Sequence, residues 1–348
     1  MNFEPCCLPT TIGSLPHIDP IEACDLVLRY TPELPAWPQL SRRSPLENMY
    51  AQFSKRLPGA TVEDGKVTVN YGPDFDSGLE QLYSDYVSGD DSRYLPGPER
   101  ALGLGTYLDL LRARGSNNII AIKGQVTGPI SLGLQVTDTQ MRPILYDDLA
   151  GDAVGKYLRL VASAEEKALA EIAPRTIVFL DEPYLHAVGS ALFSLSRDTV
   201  VRQFEEVFSG LRGLKGTHCC GNTDWSIILS TSLDILNFDA LDYGETLALY
   251  PDEVKEFIGR GGIIAWGIVP NTPELLRSHD ANSLAEALLR EMHRLQAKGI
   301  SLDRLVAQSL VTPTCGLSGL SVEDAETALA LLAGVSRKIR SRFLGRAE

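Results

Sequence analysis

The chain has 348 residues, 44% of them apolar and 22% charged, with a formal net charge of −13. This composition belongs to a folded globular protein with a sizeable core, not a disordered one, and its acidity opposes binding to a phosphate backbone. No basic segment precedes an apolar one near the N-terminus, no stretch is long and apolar enough to span a bilayer, and six cysteines are too few for a disulfide framework, so a reduced, cytoplasmic protein with neither nucleic acid nor membrane as partner is expected.

In chain order, short apolar runs alternate with longer amphipathic stretches, as βαβ units do. The first two runs are residues 8–14 and 34–38. The interval that follows is far longer than one crossover needs, and residues 41–117 read as an insertion. Within it, the alternation from Thr61 to Val69 turns at Asp64-Gly65, which predicts a hairpin with a type I′ turn. The insertion forms either a lid over the strand ends or a decoration on the side. The remaining runs are 118–124, 176–181, 214–220, 233–239, 262–268 and 304–311. After the last, Ser321 and Asp324 mark a helix start, and Ala325, Ala328, Leu332, Val335 and Ile339 keep helical spacing. Eight such units predict an α/β fold, a (β/α)8 TIM barrel, with residues 1–348 as a single catalytic domain.

Barrel enzymes carry their chemistry at the C-terminal ends of the strands, and the unusual residues fall there. Ile12, Gly13 and Ser14 end the first run, Asp181 the fourth, His218 and Cys220 the fifth and Asp239 the sixth, while Cys315 follows the eighth. Residues i and i+2 of an extended segment face the same side, so His218 and Cys220 can share one ion while Cys219 faces away. Imidazole plus two thiolates is a zinc-type donor set, completed by a carboxylate, water or substrate. Asp239 is the candidate fourth ligand, although an aspartate there also suits a helix cap, and Asp242 and Glu245 lie close by. Core packing is the alternative for an isolated His-Cys-Cys run; convergence on one rim favours the metal.

Taken together, these residues resemble the catalytic C-terminal barrel of cobalamin-independent methionine synthase, in the uroporphyrinogen decarboxylase-like superfamily. The likeness spans nearly the whole chain. It rests on Thr10-Thr11-Ile12-Gly13-Ser14-Leu15-Pro16, on Lys123-Gly124-Gln125-Val126-Thr127-Gly128-Pro129, on Asp181-Glu182-Pro183, on His218 with Cys220, and on Thr314-Cys315-Gly316-Leu317. The resemblance implies a methyltransferase of methionine biosynthesis that acts on homocysteine. It implies zinc on His218, Cys220, Asp239 and Cys315, with Ile12, Gly13 and Ser14 holding the homocysteine carboxylate, partly through backbone groups, and Asp181 its amino group. The chemistry is consistent: a thiol of pKa about 8.5 is mostly protonated at neutral pH, and a metal site favours the nucleophilic thiolate.

Two departures from that family bear on the methyl donor. The chain is too short to hold the family's additional N-terminal barrel, which helps to bind folate. The loop after the seventh run, Ala265-Trp266-Gly267-Ile268-Val269-Pro270, lacks the family's histidine, and His279 further on reads as a helix-surface position. A folate amine needs a general acid to leave, whereas reduced cobalt departs without a proton. The run from His218 to Thr223 also resembles zinc methyltransferases that move methyl groups from corrinoids to coenzyme M. The expected donor is therefore methylcobalamin or a methylated corrinoid protein, with a corrinoid protein as possible partner. Three alternatives stand beside it: a methyltetrahydrofolate-dependent methionine synthase, a corrinoid-dependent coenzyme M methyltransferase, and a non-catalytic corrinoid-binding protein. Asp181 suits an amino acid better than a sulfonate, and arginine-poor strand ends disfavour a uroporphyrinogen decarboxylase. His17 is either a substrate neighbour or part of a rim turn, and Trp225 and Trp266 read as packing residues.

Overall fold

The computed structural model describes residues 3–188 and 195–345. Its strands among these residues are β1 (Leu8–Pro9), β2 (Ala60–Glu63), β3 (Lys66–Val69), β4 (Ile122–Thr127), β5 (Thr137–Asp138), β6 (Thr176–Asp181), β7 (Leu214–Cys219), β8 (Ile235–Asp239), β9 (Ile263–Val269) and β10 (Ser309–Pro313). Seven of them form one sheet in the order β1-β10-β9-β8-β7-β6-β4, with every neighbouring pair parallel. Strands such as β6 and β9 are buried along their whole length, as expected where both faces of a parallel sheet are covered. A large apolar cluster lies between sheet and helices. A separate, smaller cluster, including Leu8, Leu34, Ala121, Ile177, Ile235, Ile263 and Leu310, gathers residues from around the sheet toward the N-terminal ends of its strands.

The expected eight-stranded barrel is corrected to seven regular parallel strands, and the reason lies in two prolines. The predicted second strand, 34–38, runs between β1 and β4 but appears only as isolated parallel bridges, Ser14 with Gln39 and Ala36 with Lys123. The Lys123 N–H donates to the Pro35 carbonyl at 3.0 Å, and the Gln39 N–H donates to the Gly13 carbonyl at 3.0 Å. Pro35 and Pro38 have no N–H, so a continuous ladder cannot form through them.

Other bounds shift for local reasons. The first part of the predicted run 304–311 is instead the end of a helix, Leu302–Ala307, which buries Leu305 and Val306. The predicted run 118–124 starts late, at Ile122, and extends to Thr127, because Ile120 is exposed whereas Ile122–Thr127 is buried throughout. The hairpin is as read: β2 and β3 pair antiparallel, with Asp64 at φ 48° and Gly65 at φ 79°, the two positive values that a type I′ turn requires. Helix Leu102–Arg114 ends the inserted region against helix Pro20–Tyr30, with the Cys24 thiol 3.9 Å from the Gly103 carbonyl. Helix Val322–Leu344 begins at Ser321, whose side chain accepts from the Asp324 N–H. Among the described residues no helix is long and apolar enough to cross a membrane.

Candidate active site

Strand register brings the chemistry together. Asp181 on β6 pairs with His218 on β7, and His218 pairs with Asn237 on β8. One donor atom each from His218, Cys220 and Cys315 lies within 4.8 Å of the others. His218 is buried, its Nδ1 stands 2.5 Å from Asn237 Oδ1, and its Nε2 has no partner. Burial pushes its pKa down to about 4, so the ring is neutral at pH 7 and Nε2 keeps a lone pair. The two thiols share a hydrogen bond that holds Cys220 toward the thiolate and Cys315 toward the protonated form. A buried imidazole nitrogen without a partner beside two sulfurs is a donor set that fits zinc.

Cys219 belongs to the other face of β7. It is fully buried within the large apolar cluster, its sulfur donates to the Gly221 carbonyl at 3.4 Å, and burial pushes its thiol up to about 12. Asp239 stands outside the three-residue group. Its Oδ1 accepts from the Leu241 and Asp242 N–H groups at 3.0 and 3.1 Å, which caps helix Ala240–Leu247. Burial raises its carboxyl to about 6, and its charge is felt at Cys220.

A cavity of about 230 Å³ opens above this cluster, with Ile12, Ser14, Asp181 and the three donors in its wall. Gly13 sits at φ 150°, and a Cβ there would lie 2.7 Å from Gln125 and Gln39 side-chain atoms, so only glycine fits so close an approach. Among the described residues no backbone carbonyl accepts from the Gly13 or Ser14 N–H groups of the turn. Asp181 Oδ1 is buried without a partner, and burial raises its carboxyl above the ordinary range while nearby Lys123 opposes that shift.

Glu47 escaped the sequence reading. It lines the same cavity, it is buried, and its Oε2 has no partner, while Arg43 pairs with its Oε1. Ser44 and Glu47 have the spacing of a capping box, which hides the glutamate as a surface helix start; in the structure Ser44 caps the turn alone and Glu47 points inward. His186 also reaches the neighbourhood: a Cβ on Gly221 would lie 2.7 Å from the His186 Cβ. His17 is buried but is not part of the cavity wall. Trp225 and Trp266 pack as read, with indole N–H groups on Thr246 and Ser309 hydroxyls at 3.1 and 2.8 Å.

The remaining motifs support one another. Glu182, fully buried beside Asp181, accepts from the Ile130 and Ser131 N–H groups at 2.9 and 2.7 Å, and a Cβ on Gly128 would collide with its carboxyl. The Asp181-Glu182-Pro183 and Thr127-Gly128-Pro129 segments therefore lock the ends of β6 and β4 together.

No protein-family model and no curated protein matches the chain. Solved structures do. A B12-independent methionine synthase from Shewanella sp. W3-18-1, in complex with selenomethionine, aligns with a TM-score of 0.62 at 15% identity, over 97% of this chain and 99% of that one. A putative vitamin-B12-independent methionine synthase from Listeria monocytogenes aligns with a TM-score of 0.58 at 13% identity, over 92% of this chain and 85% of that one. They overturn the expected methylcobalamin or methylated corrinoid donor, and with it the corrinoid protein partner. The Shewanella protein is matched over almost its full length and is B12-independent, so a match of this length does not point to cobalt. What the two likenesses establish is a shared fold: this chain is built as those B12-independent synthases are.

Proposed function

We propose that the protein is a zinc-dependent methyltransferase that makes methionine from homocysteine, with a methyl donor that is not a corrinoid. The observation that carries this reading is the unpartnered, buried His218 Nε2 grouped with the sulfurs of Cys220 and Cys315 in the wall of a cavity that also holds Asp181. His218, Cys220 and Cys315 would hold the ion, with Asp239 as fourth ligand through the oxygen its helix cap does not use. When bound, zinc supplies Lewis acidity that favours a substrate thiol as thiolate at neutral pH.

The chain's own groups divide the rest of the work. The turn Ile12-Gly13-Ser14 would offer its backbone N–H groups to the amino-acid carboxylate. Asp181 and Glu47, each with a buried oxygen lacking a partner, receive the ammonium group, and two buried carboxylates repel the sulfonate of coenzyme M. In this reading residues 1–348 form one (β/α)8 barrel catalytic domain, closed through the proline-broken segment 34–39, and 41–117 is its insertion. The bridges on both sides of that segment and the interior apolar cluster support closure; Glu47 in the cavity wall supports a lid role for the insertion's first part.

The test is calorimetric titration of zinc-loaded and chelated protein with L-homocysteine, followed by methionine formation with 5-methyltetrahydrofolate. Tight binding to the loaded form and loss on chelation are expected. Homocysteine affinity indifferent to the metal would overturn the reading.

A further inference from the structure

We propose that Lys123 is a positioning residue that sets the direction in which the amino-acid substrate lies, by holding a positive charge behind the turn Ile12-Gly13-Ser14. Lys123 is fully buried on β4. Its Nζ donates to the Ile12 carbonyl at 2.7 Å and to Gln125 Oε1 at 3.0 Å, and it sits 4.4 Å from the centroid of the Phe179 ring. A carbonyl, an amide oxygen and an aromatic face touch the ammonium, the carboxylates of Asp181 and Glu165 act on it through space, and Asp181 keeps an oxygen with no hydrogen-bond partner.

A buried lysine is costly, and an apolar residue of similar volume would fill this space at no electrostatic cost. The contacts indicate what the charge does. In a trans peptide the C=O and N–H point in opposite directions, so an ammonium on the Ile12 carbonyl polarises that peptide and strengthens its far end, the Gly13 N–H, as a donor. Gln125 ties this arrangement to the neighbouring segment, since its Nε2 donates to the Trp37 carbonyl at 3.0 Å, and Gly13 rests directly on its side chain. With Lys123 behind the turn and Asp181 and Glu47 in the cavity wall, a zwitterion finds a positive side and a negative side in a low-dielectric interior where such charges act over distance. The substrate carboxylate goes to the turn and its ammonium to the two acids.

The inference rests on the homocysteine reading above, and its test separates the two. Zinc-loaded wild type, Lys123→Met and Lys123→Gln are titrated calorimetrically with L-homocysteine and with 3-aminopropane-1-thiol, which keeps the thiol and the amine but lacks the carboxylate. Lys123→Met is expected to retain its metal and to lose about tenfold in homocysteine affinity, because the charge behind the turn has gone. Its affinity for 3-aminopropane-1-thiol should hold or improve, because a cation near the ammonium has gone. Lys123→Gln keeps a donor for Ile12 without the charge and should behave as Lys123→Met does. Equal weakening of both ligands, wild-type affinity in Lys123→Gln, or failure of both variants to fold and hold metal would each overturn the assignment. Wild type that binds no homocysteine defeats the functional reading itself, and this inference with it.

Discussion

His218 and Asn237, neighbours across β7 and β8, are joined by a 2.5 Å contact between Nδ1 and Oδ1. The amide orientation is fixed independently, because Asn237 Nδ2 donates to the Ala265 carbonyl at 2.7 Å and to the Thr312 hydroxyl at 2.8 Å. Its Oδ1 must therefore face the histidine, the Nδ1 proton sits between them, and Nε2 is left as the ligand. Asn237→Leu should weaken zinc binding about 10- to 100-fold with the sheet intact. Competition with a chromophoric chelator measures this, and unchanged affinity would show that the ring is held by other means.

The three sulfurs near the site are not equivalent. Cys220→Ser and Cys315→Ser should each lose stoichiometric zinc, whereas Cys219→Ser should keep it and instead cost about 1–3 kcal/mol of stability for a hydroxyl placed in an apolar cluster. Metal content and thermal unfolding, measured on the same preparations, distinguish the two effects. Loss of metal from all three variants alike would contradict the opposed faces of Cys219 and Cys220.

Asp181→Asn and Glu47→Gln each remove one charge from the proposed ammonium site. Each should raise KM for homocysteine about 10- to 100-fold, the range for a charge-assisted hydrogen bond, and leave the metal content unchanged. The Glu47 result is the more informative, because Arg43 already pairs with that carboxylate and a purely structural glutamate would leave KM where it was.

Glu165 gives a pH signature unrelated to catalysis. Its Oε1 accepts from the Trp37 indole at 2.9 Å and from the Gln125 N–H at 2.7 Å, its Oε2 has no partner, and burial pushes its pKa from 4.5 up to about 8. Between those values the folded protein holds a proton that the unfolded chain releases, so raising the pH favours unfolding. The Tm of the wild type relative to Glu165→Gln should fall as pH rises from 5 to 8, by about one proton's worth of linkage, since the contributions of Asp181, Asp239 and His218 are common to both proteins. A Tm difference between the two proteins that stays constant through this window would show that Glu165 is ionised in the fold.

The sequence spoke most clearly where covalent geometry alone decides. Strand β6 has the predicted bounds, 176–181, and the alternation of an extended chain was enough to part Cys220 from Cys219. It failed where one residue type serves two states. Arg304, Leu305 and Val306 read as well in a strand as in the short helix they form, and Pro35 and Pro38 interrupt a strand that the apolar pattern drew as continuous. Glu47 was illegible because its burial depends on contacts, with Arg43 and with the cavity, that no local spacing encodes. Asp239 was ambiguous for a physical reason that persists in the fold, since one carboxylate can cap a helix through one oxygen and still present the other. The donor was misjudged because it was inferred from length and from a histidine absent after the seventh run, whereas a B12-independent protein is matched over nearly its whole length.

The apolar cluster of Leu8, Leu34, Ala121, Ile177, Ile235, Ile263 and Leu310 lies at the end of the strands away from the cavity, and among the described residues it closes that end of the site. Whatever binds deepest must arrive first and depart last. Homocysteine, drawn down to the histidine and cysteines, would be shut in by the methyl carrier that settles above it, and methionine could escape only after the spent carrier had gone. In the homocysteine reading traffic through the site would be ordered, and an excess of spent carrier is expected to obstruct turnover by trapping product rather than by competing for the acceptor's place.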